Sequence, residues 1–233
     1  MTETGQSTEA RQEILSSIRE HLAASARFDV HAVHTQTGQQ PAKSNSAKDD
    51  RNGTVLERFR QALEAVSGRC VIAQSEDEAA IAIQRIVENT KAKRVAVSDA
   101  TLVKKILERV KTEAVVLDAP NQSELFDCDM GITTAQWAIA ETGTLVLESE
   151  RERHRLASLV PPVHVAIVEA GRIRRTMSEV LELIANSDVG LSRTVTFITG
   201  PSRTSDIELT LAIGVHGPGE LHVIVIDEPA QPA

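Results

Sequence analysis

Residues 53–228 predict an α/β domain: a parallel sheet with helices packed on its faces. Two observations carry this. From Gly53 onward, short apolar runs alternate with segments whose apolar residues recur at helical spacing, a βαβα rhythm. The apolar residues are also overwhelmingly aliphatic, with one Trp, four Phe and no Tyr in 233 residues. At 41% hydrophobic residues, a chain of this length can bury a sizeable core.

The elements follow in order. Residues 1–28 hold an amphipathic helix, with Ile14, Leu15, Ile18 and Leu22 on one face. Residues 29–52 are rich in Gln, Ser, Asn, Lys and Gly and read as a flexible linker. In "TVLERFRQALEAV", Val55, Leu56, Phe59, Leu63 and Val66 share a helical face. "RCVIAQ" is a strand. "SEDEAAIAIQRIVENT" is a helix with Ser75 as N-cap and Ala79, Ala80, Ile83, Ile86 and Val87 inward. "RVAVSD" is a strand, "ATLVKKILERV" a helix and "EAVVLD" a strand. Further on, "TLVLES", "VHVAIVEA" and "TVTFITG" are strands. "TMSEVLELIANS" is a helix with Val180, Leu181 and Ile184 inward. Strict alternation of Ile207, Leu209, Leu211 and Ile213 predicts a strand that turns at "GVHGPG" into "ELHVIVID", giving a C-terminal β-hairpin. Residues 229–233 are a tail.

Charge and composition exclude several function classes. A net charge of −8 and a pI near 5.4 argue against a nucleic-acid or anionic-membrane binder, which needs a basic face. Scarce aromatics argue against stacking on single-stranded nucleic acid. Cys70 and Cys128 are the only cysteines and lie far apart, so the chain alone builds neither an iron–sulfur cluster nor a four-cysteine zinc site. No apolar run approaches the ~18 residues of a membrane span. The polar, acidic N-terminus does not read as a signal peptide, and the expected location is the cytoplasm.

Three stretches bear chemistry. In "TGPSRTSD", Gly200 and Pro201 shape a loop after a strand, Ser202, Thr204 and Ser205 offer hydroxyls, and Arg203 offers a fork for carboxylate or phosphate. Asp206 could orient that Arg or accept from a substrate hydroxyl. The same residues would also make an ordinary surface turn, with Ser and Thr bonding their own backbone. In "AETGT", Glu141 stands beside a Gly turn with Thr142, Gly143 and Thr144, as a base, a nucleophile or a solvated carboxylate. In "RERHRLAS", Arg151, Arg153, His154 and Arg155 form a small basic cluster that suits an acidic partner or anionic substrate, with Arg151 and Arg153 reading rather as a solvated helix start. His164 and His222 fall in strands and fit buried, hydrogen-bonded roles. His216, at the tip of "GVHGPG", is the one His in a loop built for close backbone approach. No His has metal-ligand spacing with Cys or another His, so no metal site is expected.

Taken in order, "GITTAQWAIAETGTLVLES", "RLASLVPPVHVAIV" and "TGPSRTSDIELTLAIGVHGPGELHVIVID" resemble the LUD domain, in its lactate-utilisation protein C branch, over Val55 to Asp227. The resemblance implies a three-layer α/β/α Rossmann-like sheet of the type found in sugar-phosphate isomerases and CoA transferases. It implies a non-redox subunit supporting oxidation of L-lactate to pyruvate with iron–sulfur partner proteins, the clusters residing in the partners and no cofactor in this chain. The matching motif positions are Glu141, Thr142, Gly143 and Thr144; Arg155, Ser158 and His164; and Gly200, Ser202, Arg203, Thr204, Asp206, Gly214, His216 and Gly217. Of these, Glu141 is the catalytic candidate, and Thr142, Gly143, Thr144, Arg155, Gly200, Ser202, Arg203, Thr204, Asp206 and His216 are candidates for holding a small carboxylate. Two other readings stand beside it: a free-standing transferase or isomerase using Glu141, and a docking or assembly subunit with no active site.

Overall fold

A computed structural model describes residues 16–17, 54–152, 155–187, 190, 192–204, 212–213 and 217–228. The chain falls into two units, Met1–Lys48 and Asp49–Ala233, and the fold is that of the second. Nearly all of the expected N-terminal helix, the linker and the tail lie outside the described residues.

The first half follows the predicted rhythm. Helix α1 (Val55–Ala65) starts at Thr54, whose side chain accepts from the Glu57 amide, and it buries Phe59 and Leu63. Strand β1 (Arg69–Ala73) leads to α2 (Glu76–Thr90), capped by Ser75 and carrying Glu76, Asp77 and Glu78 in its first turn, where the helix dipole favours anions. Its buried face is Ala79, Ala80, Ala82, Ile83, Ile86 and Val87. Then come β2 (Arg94–Val97), α3 (Thr101–Leu107) and β3 (Val115–Asp118). A short α4 (Gln122–Phe126), closed by a reciprocal capping box between Asn121 and Glu124, precedes β4 (Met130–Thr134).

The second half adds β5 (Trp137–Ile139), β6 (Thr144–Glu148), a 3₁₀ turn over Arg155–Ser158, β7 (Val163–Glu169), β8 (Ile173–Arg174), α5 (Met177–Ala185), β9 (Val195–Ile198), β10 (Arg203–Thr204), β11 (Ala212–Ile213) and β12 (Glu220–Ile226). The main sheet has the order β1-β12-β7-β4-β2-β3, and every neighbouring pair is parallel. A second sheet has the order β8-β5-β6-β9. One face of the main sheet packs Val95, Val97, Ile132, Val165 and Ile224 against α2 and α3. The other packs Ala166, Val168, Val223 and Val225 against Phe59 and Leu63 of α1 and against Ala138, Leu145 and Leu147 of the second sheet. Helix α5 covers the far side of that sheet, with Val180 and Ile184 over Trp137, Ile139 and Val146. The expected Rossmann-like parallel sheet with helices on both sides is the one found, and the second sheet stands between the main sheet and α5.

Two expectations are corrected. Glu220–Ile226 is not half of a hairpin: it is a central strand, paired in parallel with β1 on one edge and β7 on the other. Both of its backbone edges are therefore occupied. The antiparallel partner of Ala212–Ile213 is Arg203–Thr204. Residues 205–211, most of the alternating segment, lie outside the described residues. The second correction is Leu181, which is 48% exposed rather than inward, because α5 rests on the small sheet through Val180 and Ile184 alone.

Candidate functional site

The chain direction across the main sheet reverses between β2 and β4. From β2 the chain passes through α3 outward to β3, whereas from β4 it proceeds the other way to β7. In open parallel sheets, ligands bind outside the carboxyl ends of the strands at such a reversal. A crevice of about 540 Å³ lies there. Asp99 follows β2, Thr134 ends β4 and Glu169 ends β7; Thr101, Gln136, Glu150, Arg151 and Arg172 complete its polar wall. Arg172 stacks over Trp137, 5.1 Å from the ring centroid, and lies 3.6 Å from Glu169. Arg151 is exposed and has no ion-pair partner among the described residues.

Directly after Arg151, Glu152 turns back into the protein and is fully buried. Its Oε2 accepts from the Thr134 amide (2.9 Å), the Thr134 hydroxyl (2.8 Å) and the Ser98 hydroxyl (3.1 Å). Glu152 is thereby tied to the ends of β2 and β4, one hydrogen bond behind a crevice-lining residue. Burial pushes its carboxyl above the usual range; the three donors oppose that rise, and the nearby Asp99 charge adds to it. Its Oε1 has no partner. The network continues through Gln136, whose amide nitrogen donates to Thr134 Oγ1 and whose Oε1 accepts from the Glu148 amide. Glu148 in turn accepts from the Trp137 indole and the Ser192 hydroxyl. A buried carboxyl with a raised pKa, behind a crevice that carries the Arg151 and Arg172 guanidinium groups, suits the binding of a small organic anion with an exchangeable proton.

The residues singled out from sequence are distributed differently. Glu141 is exposed, and its Oε1 accepts from the Met177 amide at the start of α5 (2.8 Å). Thr142, Thr144 and Thr199 form a chain of hydroxyls, each step 2.7 Å, joining the start of β6 to the end of β9. Gly143 has φ +66°, and a Cβ there would run into the Leu63 backbone of α1. Gly200 has φ +82° and approaches the Val66 carbonyl in the same way. Arg203 is exposed, and its guanidinium donates to Val66 O (2.9 Å) and Ser67 Oγ (2.7 Å). Gly143, Gly200 and Arg203 thus come together around the carboxyl end of α1. Arg155 opens the 3₁₀ turn, and its carbonyl accepts from Ser158 Oγ.

Ser158, His164, Gly200, Ser202 and Gly217 converge on a separate cavity at the amino ends of β7 and β12, the opposite end of the sheet from Glu152. The Ser202 amide donates to Pro218 O and the Gly219 amide to Pro162 O, locking those loops to one another. Thr204 pairs with Ala212 through β10 and β11. Asp206, Gly214 and His216 lie outside the described residues, as do Arg153 and His154. Sequence reasoning missed Glu152. The available signal was its position, an acid inside a basic run just beyond the carboxyl end of a strand.

An all-parallel α/β sheet with a carboxyl-lined crevice at its topological reversal defines the class of protein. The chain belongs to the LUD domain family, whose model matches residues 56–226. It is 41% identical over 103 residues to Lactate utilization protein C of Halalkalibacterium halodurans, covering 43% of this chain and 45% of that protein. It is 41% identical over 115 residues to the Deinococcus radiodurans protein of the same name, covering 48% and 54%. The Bacillus subtilis protein of that name is 35% identical over 103 residues, covering 43% of each. The matched stretch therefore spans about half the length of these relatives. The fold resembles the crystal structure of a DUF162 family protein from Deinococcus radiodurans, with a TM-score of 0.55 and 24% identity, covering 74% of this chain and 96% of that one. Among the described residues, no helix is long and apolar enough to cross a membrane. No group of three or more His, Cys, Asp and Glu among them is arranged to hold a metal ion.

Proposed function

We propose that this chain is a cytoplasmic subunit of a lactate-utilisation system and holds a small carboxylate in the crevice between the ends of β2 and β4. The observation that carries this reading is exposed Arg151 in the crevice wall with buried Glu152 directly behind it, hydrogen-bonded to the wall residue Thr134. The relatives called Lactate utilization protein C supply the substrate class. The Arg151 guanidinium takes the carboxylate of L-lactate, and the Thr134–Glu152 pair lies on the side of the exchangeable proton. Oxidation to pyruvate releases two electrons and two protons from the hydroxyl-bearing carbon and its oxygen. The electrons pass to iron–sulfur partner proteins, which this chain joins as the subunit without a cluster.

The test is lactate-dependent respiration in a strain lacking this gene, complemented with wild type, Arg151→Ala or Arg203→Ala. Wild type and Arg203→Ala are expected to restore it, and Arg151→Ala to fail at normal expression and folding. Restoration by Arg151→Ala but not by Arg203→Ala would move the carboxylate site to the Gly200–Asp206 loop. Failure of wild type itself, with the partner genes intact, would refute the pathway.

A further inference from the structure

We propose that Asp99 is a specificity-determining residue of the crevice: its carboxylate accepts a hydrogen bond from the hydroxyl of an α-hydroxy acid and disfavours the corresponding α-keto acid. The inference rests on the carboxylate reading of that crevice and adds to it the choice between the reduced and oxidised ligand. Asp99 is half-buried and lines the crevice together with Arg151. Val97 of β2 is level with Ile132 of β4 in the parallel register. Asp99 and Thr134, each two residues further on, therefore emerge at the same height at the carboxyl end of the sheet. Glu152 ties the two charged groups into one wall. Arg151 immediately precedes Glu152, and Asp99 immediately follows Ser98, whose hydroxyl donates to Glu152 Oε2 at 3.1 Å. A guanidinium and a carboxylate are thus each the chain neighbour of one partner in a single buried hydrogen bond.

Asp99 also stands in a different field from the other two carboxylates of the wall. Glu169 lies 3.6 Å from Arg172, and Glu150 lies 3.7 Å from Arg193, so each faces a positive charge. Asp99 faces a carboxyl, and its charge is among the causes that raise Glu152. An ionised carboxylate accepts hydrogen bonds and donates none. Once Arg151 holds the ligand's carboxylate, the next carbon decides the fit. In L-lactate that carbon bears a hydroxyl, which donates to Asp99. In pyruvate it bears a carbonyl oxygen, which has no proton to give and is repelled. A site that hydrogen-bonds a substrate hydroxyl discriminates against the analogue lacking that donor.

The test is calorimetric titration of the full-length protein with L-lactate and with pyruvate, for wild type, Asp99→Asn and Arg151→Ala. Wild type is expected to bind L-lactate about tenfold or more tightly than pyruvate. Asp99→Asn is expected to weaken L-lactate and tighten pyruvate, because the amide is uncharged and its nitrogen can donate to the keto oxygen. Weakening of both ligands alike in Asp99→Asn would mean damage to the crevice and would overturn the proposal. Arg151→Ala is expected to weaken both alike, since the carboxylate is common to them. Equal affinities in the wild type would remove this inference and leave the carboxylate reading of the crevice intact. Binding of neither ligand by the wild type would refute that reading, and this inference with it. Should Asp99→Asn not fold, the comparison of the two ligands on the wild type decides alone.

Discussion

Glu152 and His164 are both fully buried ionisable side chains, and burial acts on them in opposite directions with respect to pH. Glu152 has a folded value above the ordinary 4.5, so the folded state binds more protons than the unfolded chain. Its contribution to stability is fully present below about 4.5 and is lost as pH rises through the raised value. Glu152→Gln should therefore gain stability relative to wild type as pH rises above 4.5, measured as the difference in urea midpoints from pH 4 to 8. A difference independent of pH would mean that the carboxyl titrates in the folded protein as it does in the unfolded chain. His164 runs the other way: its contribution is present above 6.5 and is lost as pH falls toward 3. His164→Gln should thus lose least, relative to wild type, at acid pH. At this scale the sequence was only partly informative. His164 read correctly as a buried, hydrogen-bonded strand residue. Glu152 did not stand out, because a Glu flanked by Arg and His looks solvated, and only Ser98 and Thr134, 54 and 18 residues away, make it buried.

Elements show which signals are local. Helices α1 and α2 were legible because 3.6-residue periodicity and, for α2, the Ser75 cap lie within one stretch, and the predicted faces point inward. Strands β4 and β5 were not set out as strands, since "MGITT" and "WAI" are buried on every residue and show no alternation. The turn between β5 and β6 was singled out for its chemistry, but its geometry assigns it a packing role. Gly143 needs positive φ and lies against the Leu63 backbone, so a side chain meets both obstacles. Gly143→Ala should cost several kcal/mol, combining strain of about 1–3 kcal/mol with overpacking of about 1–3 kcal/mol. Chemical denaturation of the purified variant measures it. A loss below about 1 kcal/mol would mean that α1 shifts away from the turn at little cost.

For the whole molecule, the order of strands was the part hidden from sequence. Alternation in 207–213 followed by a Gly/Pro turn gave a local hairpin, since pairing adjacent segments requires the least loop closure. The chain instead carries Glu220–Ile226 into the middle of the sheet, next to a strand 151 residues earlier at the Arg69–Glu220 ion pair. The apolar run is why: Leu221, Val223, Ile224, Val225 and Ile226 are all buried, so both faces need cover, which only a central position gives. This distinction has a direct consequence for truncation. Were residues 220–233 the outer arm of a hairpin, a chain ending at Gly219 would keep its parallel sheet. In the observed order, that deletion separates β1 from β7, opens two backbone edges and removes core residues from both faces. The chain ending at Gly219 is therefore expected to lose its cooperative urea transition and to aggregate on expression, whereas one ending at Glu228 keeps both sheets and unfolds like the full-length protein. A cooperative transition retained by the shorter chain would show that β1 and β7 can close on one another, and that the last strand is an addition to the fold rather than its centre.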